Sequence, residues 1–256
     1  MAPSSSEKAT SAAIVGHAGW RFFRYETVAS TNDLARNLPP WSAVRAVAQT
    51  AGRGRFGRSF VSDPGGLWLS ATLPAEGAAD RWSGFSLMVG CRLLRVLETL
   101  AVPDVRLRWP NDLMSAKKKL AGLLIEQGSR QTFTVGIGMN VQNAPWQHDS
   151  SLADTSTRLA DLLPVIPEID RLAALILDAL ADAHHGMLEG GLSKAVHEIN
   201  THWATERPIL ITLIAGETID GRFMGLDQNA NLRILDASGR ERLVAHHHVA
   251  QLRELA

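Results

Sequence analysis

The feature that most limits the folds open to this chain is a run of glycine and arginine, Gln49-Thr50-Ala51-Gly52-Arg53-Gly54-Arg55-Phe56-Gly57-Arg58, hung between two apolar stretches. Val44 to Gln49 enters it with the composition of a buried strand, and Leu67 to Leu73 leaves it as another after the turn Asp63-Pro64-Gly65-Gly66. The run is therefore a loop delivered by a sheet. Glycine tolerates positive φ and lets backbone N–H groups approach a ligand, while each guanidinium is a planar fork of donors that matches carboxylate and phosphate oxygens. Two readings are open at this point: an anion cradle, or a flexible solvated basic loop of the kind found in disordered RNA-binding segments.

Composition narrows the context. The chain has 256 residues, 45% of them hydrophobic, and a formal net charge of zero, enough for one full core and a small second domain. Electroneutrality argues against a broad nucleic-acid footprint, which needs a basic face to displace counterions, so the Gly/Arg run is a local site. The single cysteine, Cys91, lies in an apolar run, permits no intrachain disulfide and reads as core, which points to the reducing cytoplasm. Arg92 and Arg95 interrupt the best candidate for a membrane span. The N-terminus lacks the basic and apolar regions of a signal peptide and reads as a flexible tail over residues 1–18. Lysine is scarce, yet Lys117, Lys118 and Lys119 stand together.

Along the chain, Trp20 to Val28 reads as a strand, and Ser30-Thr31-Asn32-Asp33 supplies N-cap chemistry for a short helix that stops before Pro39-Pro40. Trp82 to Leu100 is helical and apolar on most sides, which suggests packing against a sheet and against a partner, so a homodimer is conceivable. Val105 to Trp109, Leu120 to Glu126 and Thr132 to Gly138 read as short strands that deliver polar groups at their ends. Helical periodicity runs from Glu168 to Ala204 with a break at Gly190-Gly191. After Arg207-Pro208, four or five short strands separated by Gly and Asn/Asp turns, Arg242 to Val249 the last of them, suggest a small barrel. The domains expected are 19–206 and 207–256.

Five segments then matter together: Ser30-Thr31-Asn32; Gln49 with the Gly/Arg run; Arg108-Trp109-Pro110-Asn111-Asp112; Lys118-Lys119-Leu120-Ala121-Gly122-Leu123-Leu124-Ile125-Glu126; and Val135-Gly136-Ile137-Gly138-Met139-Asn140-Val141. In identity, order and spacing they resemble the biotin protein ligases, enzymes that activate biotin with ATP and attach it to a lysine of a carrier domain. The resemblance extends from about Tyr25 to the C-terminus. It implies an α+β catalytic domain of the class II aminoacyl-tRNA synthetase and biotin ligase type, followed by an SH3-like barrel. Fewer than about twenty residues precede the first predicted strand, too few for the helix-turn-helix module of some relatives, so a short form without DNA binding is expected.

That chemistry accounts for the residue types. Biotin's carboxylate must attack the α-phosphate of ATP, and two like charges a few ångströms apart repel by on the order of 4 kcal/mol at an intermediate dielectric. Arg55 and Lys119 are the cations expected to oppose this repulsion, with Lys119, by resemblance, beside both anions in the transition state. The ureido ring is a neutral donor and acceptor pair and calls for Ser30, Thr31 and Gln49, with Asn32 a weaker candidate. The resemblance adds Arg53, Gly54 and Gly122 to the biotin site and places Asp112 among the catalytic residues, to orient ligand or help deprotonate the incoming lysine. It assigns Asn140 to the adenine edge and adds Arg58, Asn111 and Phe60 to the nucleotide site. Phe60 stands where the family often has tryptophan, which leaves its stacking on the nucleotide open.

Biotin and ATP are the expected substrates, Mg²⁺ follows from the reaction rather than from visible ligands, and the expected partner is the biotin carboxyl carrier domain of acetyl-CoA carboxylase. His246-His247-His248 makes no metal site if it lies on one strand, where successive side chains point to opposite faces. Lipoate or octanoate attachment and a non-catalytic biotin-binding module are the competing functions. The Gly/Arg loop is expected to be mobile without ligand and to close over it, because its guanidiniums repel one another until anions arrive.

Overall fold

In the computed structural model, residues 9–16, 18–128, 131–202 and 206–255 are described. The N-terminal part is built on a sheet of eight strands: β1 (Ser11–Val15), β2 (Trp20–Val28), β3 (Ser42–Gln49), β4 (Leu67–Pro74), β5 (Val105–Arg108), β6 (Asp112–Ser115), β7 (Lys118–Gln127) and β8 (Thr132–Met139). Their spatial order is β1-β2-β3-β4-β8-β7-β6-β5. Only β2 and β3 run parallel, joined across α1 (Thr31–Ala35); the other neighbours are antiparallel. The helices α2 (Phe85–Thr99), α3 (Leu159–Leu162), α4 (Ile169–Leu188) and α5 (Leu192–His202) complete this part. A second, antiparallel sheet follows, of β9 (Arg207–Leu213), β10 (Thr218–Leu226), β11 (Leu232–Asp236), β12 (Glu241–Val244) and β13 (Val249–Glu254), in the order β12-β11-β10-β9-β13.

The period-2 alternation of β8 explains how the large sheet carries a core on one side and a site on the other. Phe133, Val135, Ile137 and Met139 join the apolar core beneath α2 and α4, whereas Gly136 and Gly138 turn to the opposite face, where Asn32 and Phe60 approach them closely. A methyl at Gly138 would meet the Phe60 ring at 2.7 Å, so bare backbone is required there. On β4 the hydroxyls of Ser70 and Thr72 face α1, bonding Asn32 and the carbonyl of Ala35, while Leu69, Ala71 and Leu73 fill the core.

Several expectations change. Residues 1–8 of the expected tail lie outside the described residues, but Ser11–Val15 form an edge strand: an apolar Ala-Ala-Ile-Val segment gains order by pairing with β2, which is already anchored by buried Trp20 and Phe22. The sheet thus begins before residue 19. The apolar helix α2 packs on the sheet and beneath α4 and α5 of the same chain, so its composition supplies no argument for a homodimer. The stretch Arg242 to Val249 is not one strand; a 3₁₀ turn at His246–His248 separates β12 from β13. The turn replaces the alternate-face argument, and among the described residues no group of three or more His, Cys, Asp or Glu is arranged to hold a metal. Strand β6, unforeseen, closes a hairpin with β5 around a cis Trp109–Pro110 bond. No helix among the described residues is long and apolar enough to cross a membrane.

Candidate active site

A cavity of about 810 Å³ opens on the glycine-bearing face of the large sheet, bounded by the Gly/Arg loop and by the end of β13. Its volume suits a cofactor-sized ligand. At one end the lining is neutral. Ser30 is the N-cap of α1 but makes no side-chain cap bond, so its hydroxyl is not spent on the helix. Gln49 Oε1 accepts from the backbone N–H of Thr31 at 2.8 Å and from its hydroxyl at 3.0 Å, and Gln49 Nε2 donates to Ser62 Oγ at 2.9 Å. Thr31 Oγ1 lies 2.7 Å from Ser70 Oγ, which donates to Asn32 Oδ1 at 2.6 Å. Asn32 Nδ2 then donates to Glu126, which also receives Arg36. The oxygens of Gln49, Thr31, Ser70 and Asn32 make three contacts with two hydroxyl protons, so one contact always lacks a hydrogen.

The other end is charged. Asp112 Oδ1 is 2.7 Å from Lys119 Nζ, and Oδ2 accepts from Arg108 Nη2 at 2.7 Å and Nε at 3.2 Å. Burial pushes the Asp112 carboxyl up, but the Lys119 ammonium and the Arg108 guanidinium outweigh it and hold the group below its usual range. Lys119 reaches this position because Gly122, opposite Asp112 on β7, has no side chain: a methyl there would come within 3.0 Å of Nζ. The ammonium also lies 5.4 Å from the centre of the Phe60 ring, within cation–π range. Farther along, Glu254 of β13 bonds both Arg106 and Arg207, which counters the upward push of burial and keeps its carboxyl low.

The Gly/Arg loop is a hairpin with its own partners. Arg53 and Ser59 form an antiparallel bridge, and Phe56 and Gly57, with φ of 58° and 70°, make a turn closed by the Arg58 N–H on the Arg55 carbonyl at 3.3 Å. Arg53 makes a bidentate pair with Asp33 at 2.6 and 2.7 Å, and this hydrogen bonding holds the Asp33 carboxyl low. Arg55 Nη2 donates to the carbonyls of His246 and Val249 at 3.2 and 3.0 Å, and Arg58 reaches that of Ala250 at 3.4 Å. The expected repulsion is present between Arg55 and Arg58, but the three guanidiniums are not alike. Arg53 is neutralised by a carboxylate, whereas Arg55 and Arg58 rest on neutral carbonyls and keep their charge for exchange.

These segments are shared with known proteins. Residues 24–142, which hold the neutral set, the loop, Asp112 and Lys119, match the model of the biotin/lipoate A/B protein ligase family. That stretch, a little under half of the chain, carries the family's domain. It is 29% identical to a biotin–[acetyl-CoA-carboxylase] ligase of Mycobacterium tuberculosis over 250 residues, 92% of this chain and 91% of that one. It is 26% identical over 219 residues to the bifunctional ligase/repressor BirA of Bacillus subtilis, covering 81% of this chain but only 66% of that protein's length. Its fold matches that of a biotin protein ligase from Aquifex aeolicus, solved with biotin and ATP, with a TM-score of 0.80 at 23% identity, over 91% of this chain and 99% of that one. The small C-terminal sheet is consistent with an SH3-like domain.

Of the residues expected from the family pattern, Ser30, Thr31, Asn32, Gln49, Arg53, Gly54, Arg55, Arg58, Phe60, Asn111, Asp112, Lys119 and Gly122 all line the cavity. Asn140 does not. Its amide donates to the Thr157 carbonyl and its oxygen accepts from Asn143, both at 3.0 Å, so the side chain ties two loops together where an adenine reader was expected. Asn111, which lines the cavity, donates its side-chain amide to the Leu123 carbonyl at 2.8 Å. Phe60 lies over the glycine seam of β7 and β8 with its edge toward Trp68, whose ring centre is 5.9 Å away. Ser70, Asp33 and Arg108 were missed as site residues. A lone serine in the buried run Leu67-Trp68-Leu69-Ser70 was a readable signal for the first; the other two gain their roles only from pairing across the fold.

Proposed function

We propose that this chain, which carries the biotin/lipoate A/B protein ligase domain over residues 24–142, is an ATP-dependent biotin protein ligase, which forms biotinyl-5′-AMP and passes biotin to a carrier lysine. The observation that carries the reading is the pairing, in one cavity, of a neutral donor and acceptor set at Ser30, Thr31 and Gln49 with an ion-paired lysine at 119. The first suits a cyclic urea, which donates and accepts without charge; the second suits the meeting of a carboxylate with a phosphate. In the first step a biotin carboxylate oxygen attacks the α-phosphorus and pyrophosphate leaves, with Lys119 stabilising the charge gathered on the equatorial oxygens. In the second, the carrier amine attacks the acyl carbon and AMP leaves. Asp112 is the carboxylate at hand to orient that amine and share its proton.

The Mycobacterium relative's name and the Aquifex complex support the substrates, and acetyl-CoA carboxylase's carrier domain is the corresponding partner. Both carboxylates lining the cavity, Asp112 and Glu254, are committed to cations, so the described residues of the cavity offer no ready cage for Mg²⁺. Such an ion is better held by the nucleotide's own phosphates, its common mode of entry. The catalytic unit assigned is the large sheet with its helices, to residue 206, and the C-terminal unit is 207–256.

The test is pyrophosphate exchange into ATP, dependent on added biotin, in the wild-type protein and in Lys119→Ala. Wild type should exchange with biotin and not with lipoate or octanoate, and Lys119→Ala should lose roughly 10²–10³-fold in kcat, as for removal of one preorganised transition-state donor. Exchange with lipoate alone, or biotin binding without exchange, refutes the reading.

A further inference from the structure

Arg108 has no part in the two steps just described, yet it is the only cation besides Lys119 that bonds Asp112 among the described residues. The two residues face each other across the β5–β6 hairpin, so the backbone register itself brings guanidinium to carboxylate. Each carboxylate oxygen has its own cation: Oδ1 takes Lys119 and Oδ2 takes two N–H groups of Arg108. Arg55 adds a more distant positive charge to Asp112, and Glu254 on β13 adds a negative one near Arg108. The charges therefore alternate from β7 to β13: Lys119, Asp112, Arg108, Glu254, then Arg106 and Arg207.

Resting on the ligase reading, we infer that Arg108 is a positioning residue that keeps Asp112 paired while Lys119 leaves it for the reacting anions. Lys119 sits at hydrogen-bond distance from Oδ1 and must loosen that bond to serve a carboxylate and an α-phosphate. A carboxylate largely withdrawn from solvent and stripped of every cation is disfavoured, and this would hold the ammonium in place. With Arg108 fixed on Oδ2 the carboxylate retains a charged partner throughout, so the ammonium is free to change partners. Two N–H groups converging on one oxygen also fix the carboxylate plane, leaving Oδ1 directed at Lys119. Loss of Arg108 removes a cation from Asp112, which raises its pKa and makes Lys119 its only close partner.

The proposal is tested with Arg108→Met and Arg108→Lys, alone and on Asp112→Asn, by pyrophosphate exchange across pH and by carboxyl ¹³C titration of Asp112 in substrate-free protein. Arg108→Met should lower kcat roughly 10–100-fold, the worth of a charged hydrogen bond, with little change in the KM for biotin. Its acid limb and the Asp112 titration should both move to higher pH, and Arg108→Lys should recover most of the loss. On Asp112→Asn the same change should cost little, because Arg108 acts through that carboxylate. An unshifted Asp112 titration, or a loss of equal size on Asp112→Asn, overturns the role. Should wild type show no biotin-dependent exchange, the ligase reading falls while the titration still decides whether Arg108 holds Asp112. If Arg108→Met does not fold, the titration of Arg108→Lys carries the same decision, with a smaller upward shift expected and none overturning it.

Discussion

At the Thr31 end of the cavity the polar atoms are neutral, buried and bonded to one another, while at the Lys119 end they are charged, partly exposed and paired across strands. A neutral hydrogen bond is weakened quickly by poor distance and angle, so the first end works as a template of fixed geometry. Ion pairs change partners without losing their long-range attraction, so the second end works as a set of exchangeable charges. The proton shortage among Thr31, Ser70, Gln49 and Asn32 gives the template one degree of freedom, since hydroxyls can rotate to meet a ligand donor or acceptor while the heavy atoms stay still.

Breaking the template should therefore affect binding, where loss of Lys119 affects the chemical step. Gln49→Ala removes the acceptor for the Thr31 N–H and hydroxyl and the donor to Ser62. The expected result is a biotin Kd weakened roughly 10–100-fold, with kcat at saturation close to wild type, as for an interaction made equally in ground and transition states. Titration calorimetry and exchange kinetics on the same variant check both halves. A large fall in kcat with unchanged Kd would mean that the two ends are not functionally separate.

A second way to sharpen the contrast is pH. Asp112's folded-state carboxyl is held below 3.8, so the stability it contributes is present above that value and lost only as pH falls further. His184, buried on the far side of the sheet, stacks on Trp82 at 5.0 Å and has Nε2 2.9 Å from the Pro74 carbonyl, with Nδ1 buried and unbonded. Burial pulls its pKa below the ordinary 6.5, so the unfolded chain takes up the proton first and stability is lost as pH falls below that value. His246, beside Arg55, acts with the same sign. Between pH 7 and 5 the melting temperature should therefore drop while the Asp112 pairs remain ionised. His184→Phe should flatten that slope in part; an unchanged slope would remove His184 as a source of the acid sensitivity.

The same division governs what could be seen in the sequence. Strand and helix order followed from apolar periodicity, and the site's residue types were legible because Ser30, Gln49, Asp112 and Lys119 sit where strands end or begin. Charge pairing was not legible. Asp33 reads as first-turn helix chemistry until the fold sets it against Arg53, and nothing near Ala250 or Glu254 marks the end of β13 as a wall of the cavity. Asn140 shows the converse: its position matches a nucleotide reader, but the sequence does not reveal that its amide bonds Thr157 and Asn143. Local pattern fixes which groups are available, and only the tertiary arrangement decides which are already used.

The glycines of the loop allow the finest separation of template from ligand contact. Gly52 is held by its own chain: an added methyl would lie 2.5 Å from the Phe60 carbonyl, so Gly52→Ala should displace backbone and cost about 1–3 kcal/mol of stability. Gly54 differs, since it has a φ of −104° and its methyl would come no nearer than 3.7 Å, to the Arg58 carbonyl. Gly54→Ala should therefore change stability by no more than about 0.5 kcal/mol in urea denaturation. Gly54 nevertheless lines the cavity, so a ligand lying against its backbone would meet the new methyl. A fall in biotin affinity at unchanged stability places the ligand against the loop backbone, and unchanged affinity would confine the loop's part in binding to the Arg53 and Arg55 side chains.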